Sequence, residues 1–267
     1  PSVTNIYISQ SGETKDIIHA TNSSISNKDY VITNNINSYL GNSDLNTVNI
    51  KADPEYGVAA TKTFTLTCWR LWEMAYHWRS RPSLTKEDVD FYECMSGLID
   101  GIDYVVNDEP LIKSLSENFS KYENILFLGR HYDYPIALEG ALKLKEVSYI
   151  HAEGMPSSEI KHGPIALVDE RTPSIFVVTS DEDLPTIMSN MREIKSRNGK
   201  IFAITSALTH DKVTEIADWA FRIYDTRSLA MRSLIANVVL QLFAYHVAVE
   251  RGLNPDRPRN LSTTVTV

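Results

Sequence analysis

The feature that most constrains the fold is a short apolar run that ends at a glycine and is followed by a long helical pattern. Asn124 to Leu128 (NILFL) predicts a buried strand that closes at Gly129. From Pro135 to Ile150 the residues are strong helix formers, and Pro135 suits a first turn. The same alternation recurs along the chain, with further apolar strands predicted at Ser174–Thr179, Ile201–Ile204 and Phe221–Tyr224. We therefore expect an α/β fold with a parallel sheet covered by helices on both faces.

Three charged residues share one face of the predicted helix. Glu139, Lys143 and Glu146 are spaced i, i+4 and i+7. A solvated surface ion pair is the plain alternative, and it would contribute only a few tenths of a kcal/mol. However, the helix follows a strand end, and open α/β sheets bind ligands outside the carboxyl ends of their strands. Two carboxylates beside a lysine can divide acid and base roles, so we favour a catalytic face.

A histidine follows this helix in a sequence context that predicts irregular backbone. His162 precedes Gly163 and Pro164, and irregular segments often carry functional side chains. Because histidine titrates near neutrality, it suits proton transfer. Packing or capping explains a single histidine equally well.

The N-terminal stretch predicts a second strand-to-helix junction. Thr4 to Ile8 has the alternation of a strand, and the hydroxyl-rich run SQSGET follows before a helical pattern from Thr14. Free N–H groups at a helix N-terminus together with serine and threonine hydroxyls can bind an anion. Ordinary N-capping is the simpler interpretation of the run taken alone.

Two other segments carry local predictions. The Gly/Pro/Ser-containing stretch after the helix that ends near Ile150 is predicted to be a loop. The stretch that starts at Glu55 is predicted to open a long helix that runs to about Trp78.

Composition excludes several classes of protein. The 267 residues carry a net charge of -8 and 43% hydrophobic residues, which favours about two globular domains over a nucleic-acid or membrane-surface binder. No signal peptide and no apolar run of transmembrane length is expected. The chain has only two cysteines, Cys68 and Cys94, and we expect them to be reduced in a cytoplasmic protein. They lack metal-like spacing and no nucleotide-binding fingerprint occurs, so we expect neither a metal nor a cofactor. The chain starts without Met and soon enters a strand, so we expect it to be part of a longer protein.

Several motifs together resemble one family over nearly the whole chain. They are PIALEGALKLKEVSYIHAEGM, SEIKHGPIALVDE, ISQSGET, EYGVAATKTF and the tail DRPRNL…VTV. They are similar to the isomerase half of glutamine–fructose-6-phosphate aminotransferases, which consists of two sugar-isomerase (SIS) domains. The resemblance implies two mainly parallel, flavodoxin-like sheets with helices on both faces, the first truncated at its N-terminus. It places the domains at residues 1–107 and 108–250, with a tail at 251–267 that folds over the sugar site.

The resemblance also implies roles for the predicted catalytic face. Glu146 matches the base that moves a proton between C1 and C2 of the sugar, and Glu139 and Lys143 match its partners. His162 matches the histidine that opens the sugar ring. In the family this histidine acts in the site of the neighbouring subunit, which implies a homodimer.

Sugar-phosphate binding is implied at three places in the chain. The matching residues are Ser9, Gln10, Ser11, Thr14, Val58, Ala60, Ser262 and Thr263. Three of them depart from the family, and one is Ser262, which stands where the family has alanine. Ala60 stands where the family has serine, and Thr263 stands where the family has the lysine that forms a Schiff base with the ketose. A threonine cannot form an imine.

The implied activity is the conversion of fructose 6-phosphate and ammonia to glucosamine 6-phosphate. The ammonia would come from a glutaminase domain or subunit outside this chain. Two alternatives stay open because of Thr263. One is an SIS-type sugar-phosphate isomerase or amino-sugar deaminase that does not need the lysine. The other is a sugar-phosphate-binding module that has lost catalysis.

Overall fold

The computed structural model describes residues 3–24, 28–78 and 91–262, which pack as two compact units. The first unit comprises Pro1–Tyr56 and Ala60–Pro82, and the second comprises Gly57–Ala59 and Ser83–Val267. The domain limits at residues 107 and 250 rest on a different criterion and stay predictions.

In its described part, the first unit has a small parallel sheet and two helices. Its elements are β1 (Ile6–Ile8), α1 (Lys15–Asn22), β2 (Tyr30–Thr33), β3 (Asn46–Asn49) and α2 (Lys62–Trp78). The strand order is β1-β2-β3, and both pairings are parallel. The central strand is the most buried, with Val31 and Ile32 fully inaccessible to solvent. The strand predicted at Thr4–Ile8 is therefore present, although two residues shorter.

The second unit contains the larger sheet. Its elements are α3 (Phe91–Asn107), α4 (Glu109–Glu117), β4 (Asn124–Gly129), α5 (Asp133–Ser148), β5 (His151–Pro156), β6 (Ser174–Val178), α6 (Leu184–Lys195), β7 (Ile201–Thr205), α7 (His210–Thr214), β8 (Trp219–Arg222) and α8 (Leu229–Glu250). All pairings are parallel in the order β5-β4-β6-β7-β8. This is the flavodoxin-like 2-1-3-4-5 order. The predicted α/β fold class is confirmed.

Alternate residues of β4 face the two helical layers, which explains why the strand is apolar throughout. Leu126 and Leu128 belong to the hydrophobic cluster that includes the buried face of α6. Phe127 points the other way, toward the contact between Gly140 of α5 and Leu240 of α8. A strand buried on both faces cannot show the hydrophobic–polar alternation of a half-exposed strand.

Helix α8 corrects the expectation about transmembrane length. Among the described residues it is the one helix that is long and apolar enough to cross a membrane, with a mean hydropathy of 1.4. However, 67% of its apolar window is buried inside the protein. Ile235, Val239 and Phe243 are fully buried on it. We therefore identify α8 as a core helix of the second unit.

Two local predictions were wrong. The stretch after α5 is a strand, β5, at the sheet edge rather than a loop. A Cβ atom on its Gly154 would lie 2.8 Å from the Cα of Leu138, so glycine permits the close approach of β5 to α5. The helix predicted from Glu55 begins only at Lys62, because the Glu55 carboxylate accepts hydrogen bonds from Thr61 and Thr63 at the helix start.

A buried carboxylate ties together three elements of the second unit. Asp133, at the start of α5, accepts hydrogen bonds from the Thr179 N–H (2.7 Å) and the Thr179 hydroxyl (2.6 Å), just after β6. It also accepts one from the Ser233 hydroxyl of α8 at 2.8 Å. Burial raises the pKa of Asp133, although these donors oppose the shift. The network fixes the start of α5 against the sheet and α8.

We predict that Asp133→Ala lowers the free energy of unfolding by about 3 kcal/mol, because it removes the carboxylate that accepts hydrogen bonds from the buried Thr179 N–H, the Thr179 hydroxyl and the Ser233 hydroxyl. Urea unfolding followed by circular dichroism measures the change. Asp181→Ala, at an exposed aspartate in the same loop region, is the control and should stay within about 0.5 kcal/mol of wild type. An equal effect of both substitutions would contradict the role of the network.

Candidate active site

The structure brings together the three charged residues of the predicted helix face. The Lys143 Nζ atom lies 2.6 Å from the Glu146 Oε2 atom and 3.6 Å from the Glu139 Oε1 atom. Lys143 is only 4% exposed and Glu139 only 9% exposed, whereas Glu146 is half-buried. A solvated surface pair is therefore excluded. The face is a buried ammonium held between two carboxylates, one of which is partly open to solvent.

The two carboxylates have different electrostatic surroundings. Burial raises the pKa of Glu139, and the neighbouring charge of Glu146 adds to the rise, while Lys143 opposes it. Lys143 forms its hydrogen bond with Glu146, so the more accessible carboxylate has the closer cation. Such an arrangement can leave Glu146 accessible as a proton acceptor on the solvent side, while Glu139 stays buried beside the lysine.

The close packing of α5 against α8 holds this face in place. A Cβ atom on Gly140 would lie 2.4 Å from the Leu240 Cδ1 atom and 3.1 Å from the Phe127 ring. Glycine at this position therefore permits the approach of the two helices, at the expense of helix propensity. Gly140, which has a low helix propensity, therefore lies at the contact that buries helix α5.

His162 is exposed at the end of the 3-10 helix Ser157–His162. Within the described residues its side chain makes no hydrogen bond or ion pair, either with this cluster or elsewhere. The segment that carries it is anchored on α6. The Asn190 side chain donates to the Ser157 carbonyl at 2.9 Å, and Lys161 forms a 2.8 Å ion pair with Glu193.

The predicted anion loop of the first unit folds around the Ser9 side chain. Ser9 is buried, and its hydroxyl shares a 2.8 Å hydrogen bond with that of Thr14 and accepts the Gly12 N–H at 3.0 Å. Gly12 has a φ of +69°, and a Cβ atom there would overlap the Ser38 side chain. Thr14 occupies the N-cap position of α1 without a capping hydrogen bond from its side chain. The Thr14 hydroxyl therefore does not cap helix α1.

The rest of this loop is more accessible. Gln10 and Thr14 are exposed and Ser11 is half-buried, with the Ser11 hydroxyl accepting the Glu13 N–H at 3.2 Å. The loop thus presents hydroxyl and amide groups to solvent beside a helix N-terminus, which is the chemistry that an anion requires.

The remaining predicted binding residues differ in their hydrogen bonding and their exposure to solvent. The Val58 N–H is engaged, since it donates to the Asp256 carbonyl of the tail at 3.2 Å. Ala60 is half-buried and Ser262 is exposed. Thr263 lies outside the described residues.

Sequence reasoning missed two groups around the helix that carries the charged face. Asp133 lies between the predicted strand end at Gly129 and the predicted helix start at Pro135, and an acidic residue just after a strand end is a usable signal. Tyr149, at the C-cap of α5, contacts Arg259 of the tail. Nothing in the local sequence indicates a partner 110 residues away.

A family model described as SIS domain matches residues 118–251. Among curated proteins, the chain is 39% identical to a glutamine–fructose-6-phosphate aminotransferase (isomerizing) of Methanosarcina acetivorans and 40% identical to that of Bacteroides thetaiotaomicron. In both cases 98% of this chain aligns, against 43% of the relative. The chain thus spans less than half the length of these relatives.

Solved structures give the same picture. The C-terminal domain of glucosamine–fructose-6-phosphate aminotransferase from Francisella tularensis superposes with a TM-score of 0.87 at 35% identity, covering 96% of this chain and 73% of that one. A glucosamine-6-phosphate deaminase from Thermotoga maritima has a TM-score of 0.72 at 20% identity, covering 100% of this chain and 76% of that one. The second likeness shows the fold alone.

We predict that Glu139→Gln flattens the pH dependence of stability. The pKa of Glu139 is raised from 4.5, so between that value and the raised pKa the native state binds more protons than the unfolded state. Wild-type stability therefore includes a component that is present below pH 4.5 and is lost as pH rises through the raised pKa. Lys143 keeps Glu146 as its nearer partner in the variant.

Urea unfolding midpoints measured at successive pH values above 4.5 test this. The matched control is Glu153→Gln, which removes an exposed carboxyl of β5 and should keep the wild-type profile. If Glu139→Gln has the wild-type profile as well, Glu139 does not carry the buried charge assigned to it.

Proposed function

Because the chain belongs to the SIS-domain family, and within it to the isomerase part of glutamine–fructose-6-phosphate aminotransferases, we propose that it converts fructose 6-phosphate and ammonia to glucosamine 6-phosphate. The whole activity is a proposal, since the chain spans 43% of the length of the curated relatives. The product feeds amino-sugar biosynthesis. No cofactor is required in this scheme.

The observation that carries the proposal is the buried Lys143 between Glu146 and Glu139. A buried ammonium and two carboxylates on one helix face are costly to maintain for stability alone. Replacing them with apolar residues would be a simpler way to pack a helix. The half-buried position of Glu146 makes it the member of the cluster that can reach a substrate.

In the proposed reaction, ammonia condenses with the C2 carbonyl of the open-chain ketose and water leaves. Glu146 then takes a proton from C1 and returns it to C2, while the imine nitrogen gains a proton and the C1 hydroxyl loses one, which gives the amino aldose. Lys143, 2.6 Å away, orients the Glu146 carboxylate and balances its charge. Glu139 is the second partner of the lysine and holds it in place.

We assign phosphate recognition to the Ser9, Gln10, Ser11 and Thr14 loop. Its buried Ser9 core and accessible Thr14 support a preformed anion site. Val58, Ala60, Ser262 and Thr263 stay proposed sugar contacts. With its N–H taken by Asp256, Val58 would contact the sugar through its carbonyl.

We assign ring opening to His162, acting on the sugar in a second copy of the chain. Its exposure and its lack of any hydrogen bond or ion pair within the described residues support a role outside its own subunit. The proposed assembly is therefore a homodimer. The proposed location is the cytoplasm, and the ammonia is supplied by a glutaminase part that is not in this chain.

Thr263 favours one second candidate, a sugar-phosphate-binding module. The tail from residue 251 onward contains no lysine, so it cannot supply an imine-forming amine. In that case the protein would bind a hexose phosphate without completing the reaction. Binding of fructose 6-phosphate without any proton exchange would distinguish this candidate from the enzyme.

We predict that Glu146→Gln slows proton exchange at C1 of fructose 6-phosphate by at least about 100-fold, because a positioned general base contributes roughly 10²–10⁴-fold. Solvent deuterium incorporation in the presence of ammonium, followed by NMR, measures the rate. Glutamine keeps the shape of the side chain, and Lys143 keeps Glu139 as a partner, so the variant should fold. Glu153→Gln is the control and should exchange at the wild-type rate. Wild-type exchange in Glu146→Gln would refute the base assignment.

A further inference from the structure

We propose that Tyr149 is a positioning residue that clamps the C-terminal tail to the end of helix α5, three residues beyond Glu146. This inference rests on the proposed function, because the purpose of the clamp is to place the tail for the sugar reaction. The residues of the clamp are Tyr149 and Arg259. Neither belongs to the charged face or to the predicted sugar contacts.

The two residues meet through two independent contacts. The Tyr149 hydroxyl accepts a hydrogen bond from the Arg259 backbone N–H at 2.7 Å. The Arg259 guanidinium carbon lies 4.2 Å from the centre of the Tyr149 ring, within the range of a cation–π interaction. One contact fixes the backbone of the tail and the other fixes a side chain, so together they define both the position and the direction of the chain at this residue.

The backbone of Tyr149 supports a specific role. It ends α5 in the left-handed conformation, with a φ of +62° and a ψ of 13°. Glycine and asparagine are usual at such helix ends, and a bulky residue there is strained by about 1–2 kcal/mol. Strain of this kind persists where the surroundings over-determine the conformation. The surroundings here include the hydrogen bond and the stacked guanidinium of the tail.

The tail is guided to this clamp over the preceding residues. The Leu253 N–H bonds to the Ala248 carbonyl of α8 at 2.9 Å, and the Asn254 side chain accepts the Asp256 N–H at 2.9 Å. The Asp256 carbonyl then accepts the Val58 N–H, and Pro258 is buried. The segment from Leu253 to Arg259 is therefore fixed at successive points.

The consequence of the clamp concerns the residues that follow it. Asn260 has a φ of +62°, so the chain turns sharply just after Arg259 and continues to Ser262. Where Ser262 lies depends on where Arg259 is held. Because Arg259 is held at the end of the helix that carries Glu146, the clamp couples the tail to the proposed base. Small errors in such placement reduce the rate steeply.

The test uses Tyr149→Phe in the full chain. This variant keeps the ring and removes the hydroxyl, so the Arg259 N–H loses its acceptor. We expect the Arg259 amide to exchange with deuterium about tenfold faster, as the net loss of about one hydrogen bond predicts. The unfolding midpoint should stay at the wild-type value. For the positioning role, kcat/KM with fructose 6-phosphate and ammonium should fall about tenfold as well.

Two further variants complete the design. Tyr132→Phe removes the hydroxyl of a tyrosine that is 60% exposed at the other end of α5, and it should leave exchange and activity unchanged. Arg259→Ala removes the stacked guanidinium and keeps the backbone N–H. It should also accelerate deuterium exchange of the backbone amide at position 259. In the double variant with Tyr149→Phe, this amide should exchange faster than in either single variant.

The outcomes separate the clamp from the proposed function. Unchanged Arg259 exchange in Tyr149→Phe overturns the clamp. Faster exchange with wild-type kcat/KM leaves a structural contact and overturns the positioning role. If the wild-type protein turns over no fructose 6-phosphate, the proposed function fails. In that event the fructose 6-phosphate dissociation constant of Tyr149→Phe replaces kcat/KM as the readout, and a wild-type value overturns the positioning role.

Discussion

The burial of Lys143 is the constraint on which the candidate site depends. An ammonium group removed from water must find carboxylates close by, and Glu146 at 2.6 Å and Glu139 at 3.6 Å provide them. The burial itself comes from the tight contact between α5 and α8 at Gly140 and Leu240. The packing of two helices therefore contributes to the burial and the geometry of the candidate catalytic face. A larger residue at position 140 would separate the helices and let water reach the lysine.

The two units use their strand-to-helix junctions in different ways. In the second unit, the junction after β4 and β6 is occupied by the protein's own carboxylate, because Asp133 takes up the Thr179 N–H and hydroxyl. In the first unit, the buried group of the junction after β1 is the Ser9 hydroxyl, while the exposed Glu13 carboxylate accepts the Tyr39 N–H at 2.8 Å. The exposed Thr14 beside Ser9 supports the assignment of an external phosphate to this unit. An internal carboxylate has made the corresponding position of the second unit a structural support.

Much of the fold followed from local sequence. The apolar runs at β4, β6 and β7 and the helical pattern of α5 were sufficient for a parallel sheet, and the i, i+4, i+7 spacing was sufficient for the charged face. What could not be predicted depends on contacts that are distant in sequence. β5 lacks a strong strand pattern, because Gly154 and Pro156 adapt it to the sheet edge and to α5. The start of α2 depends on the Glu55 side chain rather than on propensity. The Tyr149–Arg259 contact joins residues 110 positions apart.

The most direct test of the central claim is NMR of fructose 6-phosphate incubated with the protein, with and without ammonium. We predict that glucosamine 6-phosphate appears only when ammonium is present. That result would also mean that the reaction proceeds without a lysine in the tail. If line broadening shows that the ketose binds but its spectrum never changes, the result contradicts the proposed reaction. The chain would then be a sugar-phosphate binder in which Thr263 marks the loss of catalysis.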